Sequence, residues 1–320
     1  MNVNSIKQVA CIGGGVIGSS WAIQFAMKGL DVTLYDINEE QLKKSSDQMH
    51  KSLEALVQYN AITAQQCAEL VARVNLTTSI EEAVRGARFI QESGPERLEI
   101  KQSILAQVEE SAAEDAIYAS STSGLLISDI AAKAAHPERC VGAHPYNPPH
   151  LIPLVELTSG EKTDPEILQT AYDFYQSIGK EAVLLRKECP GFIANRLQLA
   201  LYREVQDLVM RGVCSVEDVD KALVYGPGLR WAIFGHNMIM QLGNPGGLTG
   251  MVQMLGNSGD KWLADMASWT HQPDNWAEVA QPGVDAEMAR FPEHIGHTNA
   301  ECAAYRDQML IELLKLHRKL

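Results

Sequence analysis

The chain has 320 residues, 46% hydrophobic and 21% charged, enough to bury a sizeable core without disulfide or metal support, which excludes a solenoid, a mini-protein and a disordered tail. Its formal net charge of −13 argues against a general nucleic-acid or anionic-membrane binder, because phosphate affinity rests on counterion release by Lys and Arg. The N-terminus lacks the basic flank and long apolar region of a signal peptide, no run approaches the ~18 apolar residues of a membrane helix, and six cysteines (Cys11, Cys67, Cys140, Cys189, Cys214, Cys302) form no CxxC pair and no Cys/His cluster. The expectation is a cytoplasmic protein with reduced, buried thiols and no metal site.

Short apolar runs alternate with helical periodicity through the first half of the chain. Strands are expected at 8–13, 32–36, 87–92, 116–121 and 140–144, with helices near 16–28, 38–57, 64–72 and 97–112 between them. Later strands are expected in 151–157 and 182–186, separated by a helix that begins after Asp164-Pro165. Beyond Lys187-Glu188-Cys189-Pro190-Gly191 the strand signal ends. Helical patterns occupy 194–212, 215–226, a segment after Arg230 and 300–320, and Ser215 with Asp218 forms an N-capping pair. The Pro-, His- and Trp-rich stretch 268–298 reads as an irregular excursion. The fold class is therefore α/β, a doubly wound sheet of the Rossmann type over 1–188, followed by an all-α domain over 189–320.

Gly13, Gly15 and Gly18 stand in GxGxxG spacing directly after the first strand and at the start of a helix. Gly13 serves the tight turn, Gly15 lets a diphosphate approach the backbone, and Gly18 lets helix and strand pack closely. The diphosphate then meets the free N–H groups of the helix start. The second strand ends at Asp36, about 20 residues beyond the loop, where a carboxylate accepts both ribose hydroxyls and repels a 2′-phosphate. No arginine follows in DINEEQ. The cofactor expected is NAD.

The runs SSTSGL (120–125) and GAHPYNPPHLIPLVEL (142–157) each follow a strand and open at the carboxyl edge of the sheet, where ligands of such sheets bind. Within the second run His144 and Glu156 stand twelve residues apart across a Pro-rich turn able to fold the chain back and bring them together, a spacing that by itself only suggests a pair. A buried carboxylate beside an imidazole fixes its tautomer and raises its basicity, which suits a general base for a hydroxyl proton. His136, His150 and His236 have no comparable partner in the sequence. By residue type alone, Glu96 and Lys101 read as a helix-start acid and a solvated lysine, Ser123 as a capping hydroxyl, and Lys43, Lys44 and Lys51 as a solvated face.

GGGVIGSSWA, IQESGPERLEIK, SSTSGL, HPYNPPHLIPLVE and PGFIANRL, in this order and spacing, resemble the L-3-hydroxyacyl-CoA dehydrogenase superfamily across nearly the whole chain. Within it the likeness is to the branch of lambda-crystallin/L-gulonate 3-dehydrogenase and bacterial L-carnitine dehydrogenase. The resemblance implies that His144 is the catalytic histidine and Glu156 its partner. It implies that Ser123 and Asn195 hold the substrate oxygen, that the backbone at Val16 and Ile17 touches the diphosphate, and that Glu96 and Lys101 contact the cofactor. It also implies a homodimer formed through the helical domain.

Where the acyl-CoA enzymes read roughly Gly-x-Gly-x-Pro-x-Gly-Pro, this chain reads GPGLRWAIFG, with Arg230 in place of an uncharged residue. A guanidinium forks onto a carboxylate with charge-assisted bonds, and a thioester offers no such anion. The expected substrate is a small free 3-hydroxy acid. Trp231 beside Arg230, with Trp269 and Trp276, raises an aromatic cage for the trimethylammonium of carnitine. The rival expectations are a 3-hydroxyacyl-CoA dehydrogenase acting on thioesters and a non-catalytic NAD(H)-binding protein of the crystallin kind.

Overall fold

The computed structural model describes residues 3–320. Contacts divide the chain into two units, residues up to Asn195 together with Asp307–Leu320, and Arg196–Arg306. The sequence pattern changes near 188, whereas this division falls slightly later and returns the C-terminal segment to the first unit. Packing explains the return: Ile311 and Leu314 are buried in the first unit's core, and Lys315 Nζ donates to the carbonyl of Tyr59 at 2.9 Å.

The first unit is built on one sheet of eight strands: β1 (Gln8–Ile12), β2 (Asp31–Tyr35), β3 (Val74–Thr77), β4 (Phe89–Glu92), β5 (Ile117–Ser120), β6 (Cys140–Pro145), β7 (Leu154–Ser159) and β8 (Glu181–Leu184). Their spatial order is β3-β2-β1-β4-β5-β6-β7-β8. Every neighbouring pair is parallel except β6 and β7, which form an antiparallel hairpin. The helices are α1 (Val16–Met27), α2 (Glu39–Gln58), α3 (Ala64–Ala72), α4 (Ile80–Val84), α5 (Leu98–Glu109), α6 (Ile127–Ile130) and α7 (Pro165–Ser177). Trp21, Phe25, Phe174 and Tyr175 fill one face of the sheet, and Val84, Leu105, Ile127 and Ile130 the other. Central strands covered on both faces read as continuous apolar runs, which is why the sequence marks them.

Strand β3 and helix α4 escaped the sequence reading. β3 is four residues at the sheet edge with its middle exposed, so it carries neither an apolar run nor a clear alternation. α4 is five residues, started by Ser79 accepting from the amide of Glu82 at 3.2 Å, too short to show a period. The longer helices begin at legible caps. Asn38 accepts from Gln41 N at 3.0 Å, Thr63 and Gln66 form a capping box, and Asp164 caps α7 with Pro165 at its first position.

The second unit is helical. Helix α8 (Ala194–Met210) leads into α9 (Val216–Leu223), α10 (Leu229–Trp231), α11 (His236–Leu242), α12 (Gly247–Asp265) and α13 (Trp276–Met288). The last helix, α14 (Asn299–Leu316), begins in this unit, and its residues from Asp307 onward belong to the first. Ser215 caps α9 as expected, accepting from Asp218 N at 3.1 Å and donating to its carboxylate at 2.6 Å. The stretch 268–298 is not an irregular excursion throughout, because α13 lies inside it. Its Pro282 and Gly283 read as breakers, yet a Cβ on Gly283 would meet Val216 Cγ2 at 2.7 Å, so the glycine permits close packing of α13 on α9. No helix among the described residues is long and apolar enough to cross a membrane. Only Cys11 and Cys140 of the six free cysteines are buried. The other four are partly exposed, which corrects the expectation of six buried thiols.

Helix α1 is buried along most of its length, from Gly18 to Ala26, and ties the β6–β7 turn to the sheet. Ser20 Oγ lies 2.7 Å from His150 Nδ1 and accepts from the amide of His150 at 2.9 Å. Burial, aided by the Lys180 charge, pulls the pKa of His150 from 6.5 down to about 4. The folded pKa is depressed, so below pH 6.5 the unfolded chain binds a proton that the folded chain refuses until about pH 4. Across that window the group withdraws about 3 kcal/mol of stability as the pH falls. Chemical denaturation at pH 7 and pH 4.5 is expected to show a smaller acid loss in His150→Gln than in the wild type; equal losses would remove this assignment.

Candidate active site

The sheet register sets the carboxyl ends of β1, β4 and β5 level with Gly142, midway along β6, which runs on past them to Pro145. Ile12 pairs with Glu92, Glu92 with Ser120, and Ser120 with Gly142. Backbone bonds carry this level beyond the strands, from Ser93 N to Ile12 O and from Ser121 N to Glu92 O, each at 2.7 Å. The glycine loop leaves β1 here, the SSTSGL segment leaves β5, and His144 lies two residues beyond Gly142.

The glycine loop is shaped to receive an anion. Gly13 has φ +98°, and a Cβ there would stand 2.8 Å from Ser93 O. A Cβ on Gly18 would penetrate Gly13 O, whereas one on Gly15 meets nothing within 4 Å. Open space thus lies in front of the first turn of α1, whose bonding begins with Ser19 N on Gly15 O at 2.9 Å. Val16 is 57% exposed, and its amide is among those that α1 leaves without a helical acceptor. Ile17 is partly buried against the core.

Behind the loop, the Gly14 peptide is held on both sides. Gly14 N donates to Asp36 Oδ2 at 2.7 Å, and the hydroxyls of Ser45 and Ser19 donate to Gly14 O at 2.6 and 2.8 Å. Asp36 Oδ1 also accepts from Ile37 N at 2.7 Å. A carboxylate has about four lone-pair sites, so Asp36 retains acceptors for a ribose diol at the end of β2. These residues fit a dinucleotide: the loop and α1 amides would hold its diphosphate, and Asp36 its ribose. Ser45, on α2, carries no motif in the sequence that marks it as a loop clamp.

The second cluster centres on two carboxylates. Glu92 is fully buried and accepts Lys101 Nζ at 2.9 and 3.1 Å, Gly94 N at 2.6 Å and the Ser120 hydroxyl. Lys101 is itself 1% exposed and lies 3.5 Å from Glu96. It is therefore an enclosed ion-pair partner and not the solvated lysine its residue type suggests, and in this arrangement the protein's own oxygens surround the ammonium. Glu96 Oε1 accepts from the Thr122 hydroxyl at 2.7 Å and from the amides of Ser123 and Gly124, both at 2.9 Å. Burial opposes ionisation of Glu96, but the Thr122 hydroxyl, Lys101 and these amides outweigh it and hold its pKa below the usual range. One side chain thereby fixes the exposed loop that presents Ser123.

The hairpin makes the third cluster. His144 and Glu156 face each other in register across β6 and β7, and Nδ1 of the imidazole lies 2.8 Å from Glu156 Oε2. Glu156 Oε1 accepts from the amides of Ile193 and Ala194 at 2.7 and 2.9 Å. Burial raises the pKa of Glu156, while His144 and the two amides lower it further, and the net direction is down. His144 is 6% exposed and stacks on Phe192 with centroids 4.9 Å apart. Phe192 reaches that place with φ 49° after Gly191 at φ 77°, a left-handed conformation that is costly for a bulky residue. Only the Pro190-Gly191 pair hinted at this turn in the sequence. Asn195 is half-buried on the first turn of α8, the turn whose amides Glu156 holds.

The remaining histidines differ from expectation in part. His136 does have a carboxylate neighbour, Glu138 at 3.1 Å, but both are well exposed, and His150 is buried against Ser20. In the second unit Arg230 is exposed, and Trp231 donates from Nε1 to His236 Nδ1 at 3.1 Å. Trp276 donates to Tyr202 OH at 2.6 Å, so Trp231 and Trp276 occupy separate ring pairs. Lys43, Lys44 and Lys51 are exposed. Among the described residues no group of three or more His, Cys, Asp or Glu side chains is arranged to hold a metal ion.

A doubly wound sheet with this glycine loop, an acid at the end of β2 and a paired imidazole at the same edge defines a dinucleotide-dependent dehydrogenase. Residues 8–189 match the family model described as 3-hydroxyacyl-CoA dehydrogenase, NAD binding domain, and residues 191–290 match 3-hydroxyacyl-CoA dehydrogenase, C-terminal domain. The chain belongs to the 3-hydroxyacyl-CoA dehydrogenase family and is an NAD-dependent oxidoreductase. It is 39% identical over 317 residues to an L-carnitine dehydrogenase of Pseudomonas sp, covering 98% of this chain and 94% of the relative. A Bacillus cereus L-carnitine dehydrogenase is 38% identical over 323 residues, covering 100% and 95%. Among solved structures, an FHMPC 5-dehydrogenase described as an NAD+ dependent dismutase superposes with a TM-score of 0.76 at 29% identity, covering 98% of both chains.

Two glycine variants separate steric from ligand roles. Gly18→Ala is expected to lower the melting temperature and abolish NADH binding, because its Cβ collides with backbone. Gly15→Ala is expected to leave the melting temperature unchanged while weakening NADH binding, read by fluorescence, by about tenfold or more. Unimpaired binding in Gly15→Ala would show that no diphosphate occupies the open space.

Proposed function

We propose that the chain oxidises the 3-hydroxyl of a small free 3-hydroxy carboxylic acid to the 3-keto acid, with L-carnitine the first candidate and an L-gulonate-like acid the second. The observation that carries this reading is the buried His144–Glu156 rung. Glu156 Oε2 accepts a hydrogen bond from Nδ1–H, which leaves Nε2 with a lone pair aimed away from the carboxylate, the tautomer a general base needs. His144 Nε2 accepts the hydroxyl proton, and Glu156 steadies the imidazolium that forms. Ser123, on the loop fixed by Glu96, and Asn195, on the turn fixed by Glu156, are assigned to the substrate oxygen. Bound NAD supplies the hydride acceptor. Its binding is assigned to Gly13, Gly15, Val16, Ile17, Gly18 and Asp36, with Glu96 and Lys101 shaping the adjoining loops.

The free-acid reading draws on Arg230, an exposed guanidinium suited to forking onto a carboxylate, and on relatives named L-carnitine dehydrogenase over nearly the full chain length. Trp231 is assigned to the substrate beside it. The family's name favours the second reading, a thioester of coenzyme A. The free cysteines suit a reducing, cytoplasmic compartment. We assign the helical unit to a homodimer, since Leu242, Val252, Met254, Trp262 and Leu263 are each at least 60% exposed and so much apolar surface marks an association site.

L-Carnitine, L-gulonate, 3-hydroxybutyrate and acetoacetyl-CoA, each followed by NADH absorbance in the appropriate direction, distinguish the readings; strong preference for the thioester removes the role of Arg230. His144→Asn is expected to lower turnover about 10²–10⁴-fold with NADH affinity intact. Wild-type turnover in that variant would refute the base assignment. Arg230→Met is expected to raise KM for the free acid about tenfold to a hundredfold with a smaller change in kcat.

A further inference from the structure

The hairpin that carries His144 and Glu156 is gripped by a buried cation that the reaction described above does not use. Lys180 stands between α7 and β8 and is 2% exposed. Its Nζ donates to the carbonyls of Pro149 at 2.6 Å and Ile152 at 2.7 Å, both in the turn that joins His144 to Glu156. The same ammonium lies 5.1 Å from the centroid of the Trp21 ring. Among the described residues no carboxylate pairs with it. From just past the end of α1, Lys28 repels it; from the turn, His150 faces it with its pKa pulled down to about 4; from α7, Tyr175 packs against Trp21.

An ammonium taken out of water without a counter-ion is costly, and a hydrophobic residue of similar length fills such a place at less expense. Here the cost is offset by two carbonyl acceptors and an indole face. The turn's own amides close elsewhere, with Leu151 N and Ile152 N on Pro148 O at 3.0 and 2.9 Å. Lys180 is anchored in turn, since its amide donates to Tyr175 O at 3.0 Å, and Glu181 N donates to Pro153 O at 2.9 Å. β8 then continues beside β7, pairing Val183 with Glu156. The grip therefore joins a fixed point on the sheet to the chain between the two residues of the rung.

We propose that Lys180 is a positioning residue for hydride transfer: its ammonium holds the 146–153 turn through Pro149 and Ile152 and thereby seats the His144 imidazole against Phe192 at the working position. The proposal rests on the reading of His144 as the proton acceptor. Burial, with Lys28 second, pulls the pKa of Lys180 from 10.5 down to about 7. An uncharged amine keeps N–H donors but loses the charge that makes these bonds short and strong. The grip is firm below neutrality and slackens as the pH rises, so oxidation acquires an alkaline limb that His144 does not produce, because a general base gains activity as it deprotonates.

The test uses the full-length enzyme with NAD and the fastest acid among L-carnitine, L-gulonate and 3-hydroxybutyrate. Lys180→Met is expected to keep or raise the melting temperature and to leave NADH affinity within about twofold. Its kcat should fall about tenfold to a hundredfold, as expected for a small misplacement of a reacting group, with a smaller change in KM and no alkaline limb near pH 7. Lys180→Arg, whose charge does not titrate in this range, should recover part of the kcat and also lack the limb. Wild-type kcat in Lys180→Met, or an unchanged alkaline limb in that variant, overturns the proposal. His144→Asn measured in parallel separates the two failures: turnover kept there sinks the base assignment, while a silent His144→Asn beside a wild-type Lys180→Met sinks only the role of Lys180.

Discussion

One carboxylate does two jobs, and the site depends on both. Glu156 meets His144 across the antiparallel rung through one oxygen and takes the amides of Ile193 and Ala194 through the other. The first bond sets which imidazole nitrogen carries the proton; the second fixes the chain at the start of α8, where Asn195 lies. A buried carboxylate with fewer donors would be drawn toward the neutral acid, and a neutral acid would no longer select the tautomer. The net fall in its pKa expresses that balance, with burial pushing one way and three hydrogen bonds pushing the other.

Around this rung the sheet supplies level and order. Parallel strands bring Ile12, Glu92, Ser120 and Gly142 into one row, so loops widely separated in sequence open side by side. Polar groups beneath them are paired inside the protein, Glu92 with Lys101 and Glu96 with the amides of the Ser123 loop. Such enclosed networks cost little once complete and hold surface loops without apolar packing. The glycine loop follows the same logic, with Asp36, Ser19 and Ser45 holding the Gly14 peptide from both sides.

The antiparallel step from β6 to β7 is what a purely parallel sheet would lack. It places a donor and an acceptor side chain directly opposite each other at short range, and it requires a turn whose carbonyls need partners. Lys180 meets that need at Pro149 and Ile152, while Ser20 accepts from the amide of His150. A lysine ammonium and a histidine buried in an apolar interior are costly for stability alone, a cost that the positioning role proposed for Lys180 would account for.

Motif spacing and periodicity were enough to locate the glycine loop, the acid at the end of β2, and most strands and long helices, because each is written locally: a cap, a turn residue, an apolar run. The spacing of His144 and Glu156 only suggested a pair, and the family resemblance singled it out. Short or exposed elements such as β3 and α4, and α13 with its Pro282 and Gly283, were not legible, since their stability comes from neighbours distant in sequence. The enclosure of Lys101, the seat of Phe192, the Ser45 clamp, the partner of His150 and the return of Ile311 and Leu314 to the first unit were decided only by the tertiary structure. Burial and partner choice for a polar side chain depend on which strands and helices surround it, and a linear pattern holds no record of that neighbourhood.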